Sequence, residues 1–321
     1  MTLDRRQFLA GAAGASAALL GGCAAPSPTP PTAAAAPALP FLIGNPAQTL
    51  LPKGKAPRVV VVGGGWGGLT VARHLRQLAP SAEVVMLERN PTFFSCPLSN
   101  KWLIDVVDTA FLTHDYLRVS ERHGYRFVQC EVLEIDRSAR RVVTSQGQLD
   151  YDFLVIAAGI RYGYEAWFGN DRRAADTTRA RFPAAYVPNA EHVALKRALH
   201  GFKGGDWVMN LPPPPQRCPP SPYERACLVA WYFKTHNIKG RVTILDHKPG
   251  VGPIGPGFRA AFQDLYKDYI TYVPNAHIVE VDPFNRRIKT KAGDMRFDHA
   301  VLMSPHQAGD MAWKADAIGR T

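Results

Sequence analysis

Apolar and polar positions change their spacing several times along the chain, and each change marks an element. "RVVVV" (58–62) is a continuous apolar run of strand length, the pattern of a strand buried on both faces. Leu69 to Leu78 continue with apolar residues at helical spacing, and "EVVMLE" (83–88) returns to strand. Residues 121–155 read as a helix end followed by short alternating strands, with turns at "DRSA" and "SQGQ", which predicts a β-meander serving as scaffold. "YDFLVIAAGIRY" (151–162) reads as a further strand running into a small-residue turn. The order then recurs. "DWVMNL" (206–211) predicts a strand, "YERACLVAWYFKTH" (223–236) a helix and "RVTILD" (241–246) a second strand. Two strand–helix–strand units predict an α/β fold with two Rossmann-like dinucleotide-binding-type domains, over 57–165 and 166–303, with 304–321 beginning a return to the first.

The totals narrow the function. The 321 residues carry a net charge of +11. No Lys/Arg block is dense enough for nucleic acid, so the charge points to an acidic protein partner or an anionic substrate. The histidines are scattered without metal spacing, and no cysteine lies in a C-x-x-C pattern, so no metal is expected. Residues 1–23 read as an export signal. Arg5 and Arg6 are paired, followed by Phe8, Leu9 and an apolar stretch too short to span a bilayer, as in a twin-arginine leader for folded proteins. "LGGC" resembles a lipoprotein cleavage box with Cys23 as the lipidated residue, which implies a periplasmic chain tethered to a membrane; ordinary cleavage without lipid is the alternative. Residues 24–56 are Ala/Pro-rich and read as a linker.

The strongest motif is "RVVVVGGGWGGLTVARHLRQLAPSAEVVMLERN" (58–90). Gly63, Gly65 and Gly68 fill G-x-G-x-x-G between a strand and a helix. The first permits a tight turn, the second lets a diphosphate approach, and the third lets the helix pack on the strand. Glu88, ending the next strand, is placed to take ribose hydroxyls. The N-terminal position favours FAD over NAD. The Ala157–Ala158–Gly159 turn is expected to let the backbone pass close to the same cofactor.

The second unit departs from this pattern. Its first turn, Pro212 to Pro222, holds seven prolines and Cys218 where glycines are expected. Proline has no N–H to offer a phosphate, and its φ is fixed. No NAD(P)H is therefore expected there, and Asp246 reads as a strand end. Cys218 is either a sulfur held against a flavin or a packed structural thiol. Cys96, in "TFFSCPLSN" (92–100), is either on a loop reaching the flavin ring or an ordinary buried thiol.

On "VVVVGGGWGG", "FFSCPLSN", "AAGIRY", "RCPPSPYERA" and "LMSPHQAG", from about Arg58 to Gly309, the sequence resembles the flavoprotein subunit of flavocytochrome c sulfide dehydrogenase. That family is disulfide-reductase-like and a cousin of the sulfide:quinone oxidoreductases. The resemblance implies that Cys96 is bonded covalently to FAD, that Cys218 is half of a redox-active disulfide, and that Glu224 moves protons near it. It implies oxidation of sulfide to sulfur or polysulfide, with electrons passed to a c-type cytochrome subunit. It also implies a C-terminal interface region, carrying the second disulfide cysteine and a flavin-binding Gly-Asp motif, so that "KADAIGRT" reads as a truncated end. Cys130, expected on a strand, and Cys227, one helical turn beyond Glu224, are the other cysteines that could pair with Cys218. A sulfide:quinone oxidoreductase and a non-catalytic flavin-binding remnant are the alternatives.

Overall fold

Residues 44–188, 190–291 and 293–319 are described by the computed structural model, within one compact unit, Leu42–Thr321. Arg5, Arg6 and Cys23 lie outside them.

The first apolar run is strand β1 (Arg58–Val62), buried along its length. Glycines turn the chain into helix α1 (Trp66–Leu78), which begins three residues earlier than its apolar spacing suggests. Gly68 and Ala72 form its buried face, where small residues let it lie close to the sheet. Strand β2 (Glu83–Glu88) pairs parallel with β1, Arg58 beside Glu83. This register matters because Arg58 is fully buried. Its Nε donates to Glu83 Oε2 (2.7 Å), and its other nitrogens donate to the carbonyls of Leu51, Pro52 and Asp150. A buried guanidinium is tolerated because each face meets an acceptor.

Strands β3 (Arg126–Gln129) and β7 (Phe153–Ile156) complete a parallel sheet in the order β3-β2-β1-β7. The predicted meander, β4 (Val132–Asp136), β5 (Arg141–Thr144) and β6 (Gly147–Asp150), is a separate antiparallel sheet between β3 and β7. Cys130 falls between β3 and β4 rather than on a strand, with its thiol in the core.

The second unit repeats this plan. Strand β8 (Ile160–Tyr162) leads towards β9 (Gly204–Leu211), and helix α2 (Ser221–Thr235) leads to β10 (Lys239–Asp246), β9 and β10 being parallel over eight residues. Then come β11 (Ile270–Val273), the meander β12 (Ile278–Asp282), β13 (Arg287–Thr290) and β14 (Gly293–Arg296), and β15 (His299–Val301). The sheet order is β11-β10-β9-β15, the same as the first with each strand in its corresponding place. Both meanders bulge in their first strand, at Val132/Glu134 and at Ile278/Glu280. A short ribbon pairs β8 with β16 (His306–Ala308). Trp207, Tyr223, Phe233, Val242 and Ile244 make the centre of the second core. Each such side chain contributes about 1.5–3 kcal/mol by burial.

Candidate functional site

In sheets of this kind, ligands bind beyond the carboxyl ends of the strands. The chemistry-bearing residues lie at those ends here too. After β1, Gly63 adopts φ +104°, and a Cβ there would stand 2.4 Å from the Ala157 carbonyl oxygen. A Cβ on Gly68 would stand 1.8 Å from Gly63 O, whereas one on Gly65 meets nothing within 4 Å. The first and third glycines are thus fixed by packing, and the second faces open space. Gly65, Trp66 and Gly67 are exposed at the N-terminus of α1, where unpaired amides and the helix dipole favour an anion. Glu88 Oε2 accepts from Gly64 N (2.7 Å), and Oε1 accepts from Asn90 N (2.9 Å) and Nδ2 (2.6 Å). Three of its roughly four acceptor positions are used, so it can still take a hydroxyl. Tyr116, on a helix over Tyr116–His123, donates from its hydroxyl to Gly64 O (2.8 Å) and supports the loop from below. Gly159 turns at φ +72°, and Gly309 N donates to its carbonyl (2.9 Å), so β7, the glycine loop and the segment after β16 meet at Ala157–Gly159. A dinucleotide fits this cradle: the glycines that cannot carry a Cβ hold the turn, and the one that can faces outward.

The corresponding turn after β9 offers no such cradle. Ser221 N donates to Cys218 O (3.1 Å), and Tyr223 N and Glu224 N donate to Pro220 O (3.1 Å each). Pro219, Pro220 and Pro222 have no N–H, and Arg217 N donates to His306 Nδ1 (2.9 Å). Most of the amides that would grip a diphosphate are absent or used. Asp246 is more than a strand end. Fully buried, it accepts from the hydroxyls of Tyr223 and Tyr272 (the latter at 2.8 Å) and pairs with Lys248 Nζ at 3.0 Å. The acid in the ribose position is held inside the protein by its neighbours. Tyr223, on α2, is fully buried and reaches this carboxylate.

The two thiol segments come together. Cys96 opens a 3-10 turn (Cys96–Leu98) that leads into a helix over Ser99–Leu103. Cys218 is exposed and lies at φ +52°, a left-handed residue that reverses the chain just before α2. Asn100 joins them. Its Nδ2 donates to Glu224 Oε2 (2.7 Å) and Ser221 Oγ (3.1 Å), and its Oδ1 accepts from Arg225 Nε (2.8 Å). Arg225 continues to the carbonyls of Ala184 and Ala185. Asn100 and Arg225 are both 2% exposed, so this is an internal clamp between chain segments more than 120 residues apart. Tyr186 O completes it, facing Cys96 Sγ at 4.0 Å and accepting from Arg217 Nη1 at 2.9 Å.

Burial pushes the Cys96 thiol up to about 11, against the pull of Arg217 and Arg225. Burial raises Cys130 to about 11 and Cys227 to about 12. All four described cysteines are free, and Cys218 is the exposed one. Among the described residues no group of three or more His, Cys, Asp or Glu could hold a metal. Asn100, Arg225, Tyr186 and Tyr116 escaped the sequence reading. Asn100 closes the quoted "FFSCPLSN" and Arg225 lies within "RCPPSPYERA", yet neither has a spacing that marks it.

Two parallel sheets of one plan, a glycine cradle on the first and a thiol loop on the second, define a two-unit Rossmann-like scaffold with one nucleotide cradle. Residues 57–170 match the family described as pyridine nucleotide-disulphide oxidoreductase, and residues 193–303 that described as sulfide dehydrogenase (flavocytochrome c) flavoprotein chain, central. A sulfide-quinone reductase of Aquifex aeolicus is 24% identical over 238 residues, 71% of this chain and 53% of that protein. The mitochondrial sulfide:quinone oxidoreductase of Mus musculus is 25% identical over 70% of this chain and 50% of its own. The solved structure of the Aquifex aeolicus sulfide:quinone oxidoreductase superposes with a TM-score of 0.65 at 22% identity, covering 81% of this chain and 61% of that one. The chain spans about half the length of the curated relatives it matches. Together these matches support a pyridine nucleotide-disulphide oxidoreductase-like flavoprotein related to sulfide:quinone oxidoreductases and flavocytochrome c sulfide dehydrogenases.

Proposed function

We propose that this chain is the flavin- and thiol-bearing part of a sulfide dehydrogenase, oxidising sulfide and passing electrons to a c-type cytochrome. The observation that carries this reading is the pairing of an intact nucleotide cradle after β1 with an amide-poor, thiol-bearing turn after β9. The first can hold one dinucleotide. The second offers a sulfur where a nicotinamide dinucleotide would be gripped.

FAD is the dinucleotide assigned to the cradle, with Gly63, Gly65, Gly68, Glu88, Ala158 and Gly159 around it and Cys96 as its covalent anchor. When bound, the flavin supplies a two-electron acceptor that can pass electrons on singly. The rest is done by this chain's residues. Cys218 is the exchange sulfur: once paired in a disulfide with a second cysteine, it is open to attack by hydrosulfide, which forms a persulfide on Cys218 and expels the partner as a thiolate. Glu224, which accepts from Asn100 within the same clamp, is the residue assigned to take or return a proton. The proline-rich turn and the clamp fix Cys218 with little conformational freedom to lose. Export by the twin-arginine route and a lipid tether through Cys23 complete the proposal, putting the chain in the periplasm.

A quinone acceptor is the second reading, favoured by the similarity to sulfide:quinone oxidoreductases. Among the described residues no helix is long and apolar enough to cross a membrane. Two measurements test the proposal. Flavin fluorescence should stay with the polypeptide on a denaturing gel and be lost in Cys96→Ser; a colourless wild-type band removes the covalent anchor. The sulfide-reduced protein should be reoxidised by a soluble c-type cytochrome faster than by a short-chain quinone, and the reverse order selects the second reading.

A further inference from the structure

Two guanidinium groups approach the thiol region, and among the described residues neither has a carboxylate within salt-bridge distance. Arg225 is buried and committed: it donates to Asn100 and to two carbonyls, and Glu224 reaches it only through Asn100. Arg217 is placed differently. It is half-buried, directly precedes the exposed Cys218 and, among the described residues, makes one side-chain hydrogen bond, from Nη1 to Tyr186 O at 2.9 Å. A guanidinium has five N–H donors, so most of this one's remain unused. Its backbone N is also pinned, donating to His306 Nδ1 at 2.9 Å. Burial and Arg217 itself depress His306 to about 4, so that imidazole is neutral near pH 7 and adds no second cation. Arg217 is thus a partly desolvated cation with spare donors on the residue before an exposed thiol, an arrangement that favours an anion nearby.

We propose that Arg217 selects the anionic form of the sulfur substrate at Cys218, drawing in hydrosulfide in preference to neutral hydrogen sulfide or a neutral thiol. The assignment rests on the sulfide reading above and adds a specificity-determining residue to it. Arg217 acts by charge and by its unused donors, while Cys218 remains the reacting atom. Hydrosulfide also suits the basic chain, with its net charge of +11, which favours anions at longer range.

The test needs neither flavin chemistry nor sulfide. Cys218 in the purified full chain, first reduced to the thiol and freed of reductant, is alkylated with iodoacetate, an anion, and with iodoacetamide, a neutral reagent of similar size, and the rates are read by peptide mass. Both reagents require the thiolate, so the ratio of rates cancels the thiol's own acidity. The iodoacetate-to-iodoacetamide ratio should fall by about fivefold in Arg217→Gln, and the wild-type excess should shrink as salt is raised. Arg217→Lys should keep most of the excess. Equal ratios in wild type and Arg217→Gln would overturn the proposal, as would a loss in Arg217→Lys as complete as in Arg217→Gln. Failure of the sulfide reading shows separately, as a wild-type holoprotein that sulfide does not reduce.

Discussion

Sulfide is expected to leave the flavin of a Cys218→Ser variant oxidised, with reduction slowed by roughly 10³-fold or more. Serine keeps the size and polarity of the side chain but cannot form a disulfide or a persulfide, so hydrosulfide has no sulfur to attack. The position itself tolerates the change. Cys218 is exposed, and its left-handed φ of +52° strains serine no more than cysteine. The variant should therefore purify with its flavin and melt within about 1 kcal/mol of wild type. Anaerobic bleaching of the flavin absorbance by sulfide reads the effect directly. Wild-type rates in Cys218→Ser would remove this thiol from the reaction.

Gly68→Ala should cost the protein its cofactor. The new Cβ would lie 1.8 Å from Gly63 O, a backbone atom that cannot swing aside, so α1 and the glycine loop must separate. Overpacking of this kind costs about 1–3 kcal/mol or more, which lowers flavin affinity by at least about tenfold and lowers the melting temperature as well. Gly65→Ala is the control. Its Cβ meets nothing within 4 Å and its φ is −70°, so the fold should be unchanged while the added methyl points into the space a diphosphate needs. Flavin absorbance per polypeptide and a thermal melt separate the two: Gly68→Ala loses both, and Gly65→Ala loses flavin alone. A Gly68→Ala protein purified with stoichiometric flavin and unchanged melting would show that the cradle lies elsewhere.

The strands were legible because those of a parallel sheet are buried on both faces and so read as unbroken apolar runs; "RVVVV" and "RVTILD" are of this kind. The glycine loop was legible because only glycine satisfies the close approaches at Gly63 and Gly68. Proline's missing N–H made the second turn readable as an amide-poor loop. The polar interior was not legible. Asn100 meets Glu224 and Arg225, and Arg217 meets His306, across 89 to 125 residues of chain, and such contacts leave no local period. Asp246 read as a strand end because its partners Tyr223 and Tyr272 lie on α2 and β11, which only the fold brings together. Cys130 read as a strand residue because apolar character alone does not distinguish a strand from the buried connection that follows it.

A sulfur nucleophile, rather than a pyridine nucleotide, is expected to deliver electrons at the second unit. The most direct measurement is an anaerobic titration of the purified holoprotein with sulfide and, separately, with NADH and NADPH, following the flavin absorbance. Sulfide should bleach the flavin at near-stoichiometric amounts, and neither nucleotide should do so at millimolar concentration. Saturable reduction by NADH or NADPH, with sulfide inert, would contradict this.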